Sequence, residues 1–178
     1  MIKNKNLILK NETKDRGGFL SLELLGVLTV ITVIGAAIFT YLGQSNTQAD
    51  IADATSQLGF VQSAVKTKYT NESTYNGLDE ADLVNSSQIP RNMVNGNTLV
   101  NAFGGAIDVT SNAASGDVMF DITFEDLPQD ACAALAGLKN SNIFEVSVNG
   151  GAAAASFSPS EVQDECDQEV NDITWTYY

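Results

Sequence analysis

Polar and basic side chains dominate the first eighteen residues, and the chain then runs apolar from Phe19 to Leu42 with Glu23 as its only charge. As a helix that run spans roughly 36 Å, enough for a hydrocarbon layer of about 30 Å, so residues 19–42 read as a membrane segment. Its basic flank is expected to stay in the cytoplasm. An ordinary secretory signal has a shorter apolar core followed by a small-residue cleavage site, whereas here the helical pattern continues past the apolar run. Beyond Gly43, the residues Ile51, Ala54, Leu58, Val61 and Val65 recur at spacings of 3, 4, 3 and 4, and Tyr69 follows one turn later. This is one helical stripe. No proline interrupts residues 19–69, so the pattern predicts a single long helix, apolar all round in its first half and on one side in its second. The second half is expected to pack on a sheet. Gly26, Gly35 and Gly43 each cost about 1 kcal/mol relative to alanine inside a helix, and Gly43 is the expected place for a bend or local melting.

The pattern then changes period. Residues 70–104 are rich in Asn, Ser and Gly and hold Pro90, Asn76-Gly77 and Asn95-Gly96, which predicts a long connection with short helical pieces. Ile107 and Val109 alternate with polar neighbours, as do Val118, Phe120, Ile122 and Phe124, and both runs read as half-buried strands. Pro128 opens a helix over PQDACAALAGLK. Two more strands follow, 142–149 with Phe144, Val146 and Val148 on one face, and 173–178 with Ile173, Trp175 and Tyr177 on one face. Between them, residues 150–172 carry a Gly-Ala run, Pro159 and the acidic stretch VQDECDQEV, read as a mostly irregular excursion. The expected fold class is α+β, with a leader at 1–18, a long helix at 19–69 and a globular head at 70–178 packed on that helix. A chain of 178 residues leaves room for one such head and little more.

Charge sharpens this division. Five of the nine basic residues, Lys3, Lys5, Lys10, Lys14 and Arg16, precede position 17; without residues 1–18, four basic side chains face twenty acidic ones, a formal −16. Nucleic-acid binding by such a head is not expected. The absence of histidine and the presence of only two cysteines exclude Ser-His-Asp triads and the usual zinc ligand sets. No enzyme activity, cofactor or metal is expected. Cys132 and Cys166, on the far side of a membrane segment, read either as one disulfide made in an oxidising compartment or as two separate buried thiols. The acidic side chains Glu161, Asp164, Glu165, Asp167 and Glu169 lack the spacing of a dedicated calcium loop and read as a solvated face.

The junction at Gly17-Gly18 carries the function. A basic leader, Gly18, then Phe19-Leu-Ser-Leu-Glu23 opening an apolar helix resembles the processing site of type IV prepilins. The resemblance implies that a prepilin peptidase cuts between Gly18 and Phe19 and methylates the new amine of Phe19. It also implies a role in assembly for Glu23. A carboxylate within an apolar segment costs about 2.5–3.5 kcal/mol at a membrane-helix centre and needs a cation. Cleavage creates one in the α-amine of Phe19, which stays positive on methylation and can approach Glu23 of a neighbouring subunit.

Further along, SSQIP, NAFGG and LPQDAC ahead of a helix resemble type IVb pilins of the bundle-forming and toxin-coregulated group. That resemblance implies the type IV pilin fold, an antiparallel sheet with the terminal strand placed internally, Trp175 and Tyr177 in the core, and a disulfide between Cys132 and Cys166. Phe19 is more typical of type IVa pilins, and Thr40 stands where many pilins carry a proline. The implied partners are further copies of the pilin, the prepilin peptidase, an assembly ATPase with its inner-membrane platform, a secretin and a periplasmic thiol oxidase. The implied function is that of a structural pilus subunit, serving adhesion, aggregation or conjugative contact. It starts in the inner membrane with its leader cytoplasmic and its head periplasmic, and ends in an extracellular filament. The competing readings are a minor pilin or type II secretion pseudopilin, and a single-span periplasmic binding protein that never polymerises.

Overall fold

The computed structural model of the chain describes residues 47–178, all within the unit Ser45–Tyr178. The leader, the apolar half 19–42 and the three glycines of the first helical half lie outside the described residues. Among the described residues no helix is long and apolar enough to cross a membrane.

Helix α1 covers residues 47–68. Its stripe faces inward as its spacing predicts: Ala54, Leu58, Val61 and Val65 are buried, joined by Ala64 and Gln57, with Ile51 and Tyr69 packed at the ends. Thr55 and Ser56, on the other side, return their hydroxyls to the carbonyls of Ile51 and Ala52, a local bond open to short hydroxylic side chains on a helix surface. The connection that follows folds into two 3-10 turns, Glu80–Asp82 and Arg91–Met93. These drop Leu83, Ile89 and Met93 into the core.

Six antiparallel strands complete the layer: β1 (Val94–Asn95), β2 (Thr98–Val100), β3 (Ala106–Ser111), β4 (Phe120–Pro128), β5 (Ile143–Val148) and β6 (Val170–Tyr177). Their order is β1-β2-β3-β4-β6-β5. The last strand in sequence is therefore internal, paired with β4 through Ile122↔Trp175 and with β5 through Val146↔Trp175. Period-2 alternation puts Ile107, Val109, Phe120, Ile122, Phe124, Val146, Val148, Ile173, Trp175 and Tyr177 on the inner face, all buried. Phe124 meets Trp175 edge-on with ring centroids 5.3 Å apart, and an aromatic chain runs Tyr69, Tyr75, Phe120, Tyr177. Burial keeps the phenols of Tyr69, Tyr75 and, most strongly, Tyr177 protonated above their usual range. Helices α2 (Gln129–Ala136) and α3 (Pro159–Glu165) flank this sheet.

Two expectations are corrected and a third is refined. Val118 does not join the strand: Asn112 caps a short 3-10 turn, Gly116 and Asp117 take positive φ, and the strand starts at Phe120, leaving Val118 exposed. Phe144 does not share the inward face of Val146 and Val148. The β5–β6 register shifts between Ile143 and Glu145, which turns Phe144 outward against Tyr178, ring centroids 5.2 Å apart. Residues 150–172 are mostly irregular, as expected, with one regular element the pattern did not predict. They contain α3, started by a capping box in which Ser158 accepts the Glu161 N–H and Glu161 accepts the Ser158 N–H.

Candidate assembly surface of the head

Short elements bring Cys132 and Cys166 together. The small residues of α2 bury Ala131, Cys132, Leu135 and Ala136 on one side, while Cys166 caps the C-terminus of α3. The two sulfurs are bonded, with Cα atoms 5.9 Å apart and 34 positions of sequence between them. At the base of the same excursion Asn149, at φ 52°, acts as a clasp. Its amide donates to the Glu165 carbonyl (3.1 Å) and to Asn171 Oδ1 (3.0 Å), and its own Oδ1 accepts the Asp172 N–H. Asn171 then donates to the Gln168 carbonyl. Gly18, Phe19 and Glu23, the residues of the processing junction, lie outside the described residues.

A second clasp holds the segment NAFGG. Asn101 is buried; its Oδ1 accepts the N–H groups of Phe103 and Gly105, and its Nδ2 donates to the Glu125 carbonyl at 2.7 Å. Gly105 passes so close to β4 that a Cβ there would lie 2.0 Å from the Glu125 carbonyl oxygen. This segment is therefore constrained by backbone approach.

The acidic stretch does not converge on a point. Glu161 is committed to the cap, whose N–H and hydroxyl hold its carboxyl below the ordinary value, while Asp164, Asp167 and Glu169 face solvent. Among the described residues no three His, Cys, Asp or Glu side chains are grouped to hold a metal ion. On the outward face of the sheet, Asp121 accepts from Asn112 and from the Thr176 hydroxyl (2.6 Å), and the Thr123 and Thr174 hydroxyls pair at 2.8 Å. At the sheet's other margin burial raises the Glu80 carboxyl, helped by Asp108. The described residues hold four basic and nineteen acidic side chains, and the one ion pair within 4 Å among them is Lys68 with Asp82 at 2.9 Å.

Two surface features escaped the sequence pattern. Phe60 lies off the helical stripe and is 43% exposed, and Gly59 beside it has, among the described residues, nothing within 4 Å of where a Cβ would sit. Off-stripe placement of a large aromatic was the available signal. Next to Gly59 opens a groove of about 440 Å³ between α1, the α2–β5 connection and the end of β6.

Residues 48–178 match the family model described as PilS N terminal. Among characterised proteins, the chain is similar to the major structural subunit of bundle-forming pilus from Escherichia coli O127:H6 (strain E2348/69 / EPEC), 27% identical over 84% of this chain and 80% of that one. The corresponding subunit from Escherichia coli O111:H- is 25% identical over 93% of this chain and 95% of its own length. Among solved structures, the fold is similar to TcpA, a type IV pilin from Vibrio cholerae El Tor biotype (TM-score 0.54, 16% identity, 73% of this chain, 99% of that one). It is likewise similar to the type IV b pilin from Salmonella typhi (TM-score 0.57, 18% identity, 73% of this chain, 98% of that one). With the internal terminal strand and the α2–α3 disulfide already described, these findings make the chain a member of the PilS N-terminal family, a type IVb pilin with a structural, non-enzymatic role.

Proposed function

We propose that this chain is the precursor of a major pilus subunit that polymerises through its N-terminal helix. The observation that carries the reading is the order of segments: the family match begins at residue 48, shortly after the apolar run Phe19–Leu42, which holds Glu23 and follows Gly18 and a basic leader. In this reading a prepilin peptidase removes residues 1–18 and methylates Phe19, and the methylated amine supplies the cation that Glu23 of a neighbouring subunit requires in an apolar bundle. The precursor sits in the inner membrane with its head periplasmic, where a thiol oxidase closes Cys132 to Cys166. An assembly ATPase, its platform and a secretin then bring the filament to the cell surface, where it serves adhesion, aggregation or conjugative contact. The major-subunit role is supported by the two bundle-forming pilus relatives, both of them major structural subunits.

Mass spectrometry of filaments sheared from the cell surface tests this. The expected mature chain starts at N-methylated Phe19, lacks two protons for the disulfide, and dominates the sheared fraction. A chain that keeps residues 1–18 and stays with the inner membrane would overturn the reading, and a scarce processed chain would make it a minor pilin.

A further inference from the structure

Net charge makes self-association of this head a problem that its few cations must solve. Residues 47–178 carry a formal −15 from four basic and nineteen acidic side chains, so copies brought together repel one another. Among the described residues, Lys68 is the one of the four cations held in an ion pair. Lys139 stands at the groove beside Gly59, whose apolar lining is Leu58, Leu138, Ile143 and Tyr177. Lys66 lines a shallower hollow that continues from it through Gln62. Gly59 has no packing reason among the described residues: a glycine in a helix interior costs about 1 kcal/mol relative to alanine, and no described neighbour comes within 4 Å of where its Cβ would sit. Its effect is to keep the groove open along α1.

At the other end of β6 is a surface of opposite character. Val170, 49% exposed, is near in sequence to Asp167, Glu169 and Asp172, all three exposed. Seven strand rises separate it from Tyr177 at the groove, roughly 23 Å. An exposed valine with acidic neighbours in sequence and a groove of mixed polar and apolar lining that carries Lys139 thus occupy opposite ends of one strand. Such a pair cannot satisfy itself within one subunit. Between copies it makes a heterologous contact, each subunit giving its tip and receiving another, and a contact of that type builds an open chain when its rotation does not close.

We propose that the groove lined by Leu58, Gly59, Leu138, Lys139, Ile143 and Tyr177 receives the acidic Val170 tip of a second copy of this chain. The inference rests on the polymerisation reading and deepens it by naming the surfaces through which heads meet.

The full-length chain is tested in cells, with sheared filament as the readout and with the cellular amount of processed, disulfide-closed pilin as the folding control. Lys139→Glu and Glu169→Lys are each expected to lower sheared filament by about tenfold or more, as charge reversal at a paired contact does, and the two together in one chain to restore most of it. Gly59→Trp, which fills the groove while favouring the helix, is expected to abolish sheared filament at unchanged pilin level. Wild-type filament yields from Lys139→Glu or Gly59→Trp would overturn the proposal while leaving polymerisation intact. Failure of the double variant to recover would remove the Val170 tip as the occupant and overturn it too. Absence of sheared filament from the wild type would instead defeat the polymerisation reading on which the proposal stands.

Discussion

The inner face of the sheet and the pair of helices at its flank bury side chains of very different size. The sheet contributes Trp175, Tyr177, Phe120, Phe124, Ile107, Ile122 and Ile173, all under 2% exposed. Helices α2 and α3, eight and seven residues long, contribute mainly Ala131, Ala136, Leu135 and Val162. Fully burying a large apolar side chain stabilises by about 1.5–3 kcal/mol, so the sheet can hold itself and α1 by area alone. Helices of fewer than about twelve residues are marginal in water by themselves. The flank therefore relies on specific ties: the disulfide, the Asn149 clasp and the Ser158 capping box. Where packing area is scarce, covalent and hydrogen-bonded constraints replace it.

Trp175→Ala removes the largest core side chain, whose Nε1 has no hydrogen-bond partner among the described residues, so the loss is one of packing. A destabilisation of about 3–5 kcal/mol is expected in urea unfolding of the purified chain. A loss below about 1 kcal/mol would mean that the sheet does not depend on this ring and that the contrast is misplaced. Next comes the flank. Replacing both cysteines by serine releases a crosslink across 34 positions, expected to cost about 3–4 kcal/mol on the chain-entropy account. The location of the effect distinguishes the two regions. Amide exchange is expected to quicken in α3 and around Cys166 and to stay slow in the paired centres of β4 and β6. Equal quickening in sheet and flank would show that the two open as one cooperative unit.

The same contrast explains what was legible in the sequence. Large apolar residues at fixed period announce their element: the 3-4 spacing of Ile51 to Val65 gave α1, and the alternation of Phe120, Ile122 and Phe124, or of Ile173, Trp175 and Tyr177, gave β4 and β6 with their inward faces. The errors fall where one residue redirects the chain. A register shift after Ile143 turned Phe144 outward, and positive φ at Gly116 and Asp117 delayed β4 past Val118; neither leaves a periodic trace. Helix α3 was hidden because Val162 is its only buried residue, though Ser158-Pro159-Ser160-Glu161 spells a capping box that was there to be read. NAFGG carries a resemblance whose physical basis, the Asn101 clasp and the closeness of Gly105 to the Glu125 carbonyl, only the fold displays. The groove beside Gly59 was not legible, because it depends on which turn of α1 meets the α2–β5 connection.

The smallest expected effect tests whether the hydrogen-bonded ties of the flank matter separately from the disulfide. Glu161 Oε2 accepts the Ser158 N–H at 2.7 Å, and this bond with the Ser158 hydroxyl holds the carboxyl below its ordinary value of 4.5. A carboxyl whose value is depressed by folding stabilises the fold above 4.5 and loses that contribution as pH falls through its folded value. Glu161→Gln keeps an acceptor oxygen but removes the charge that favours a helix N-terminus. At pH 7 its melting temperature is expected to fall by roughly 1–2 °C, a surface cap being a small part of the total. On acidification the wild type should converge on the variant, since protonation of Glu161 makes the two side chains alike in charge. The measurement is a pair of melting curves at pH 7 and pH 3. A difference that persists unchanged at pH 3 would assign the effect to shape rather than charge, and the cap would then join the sheet in being held by packing.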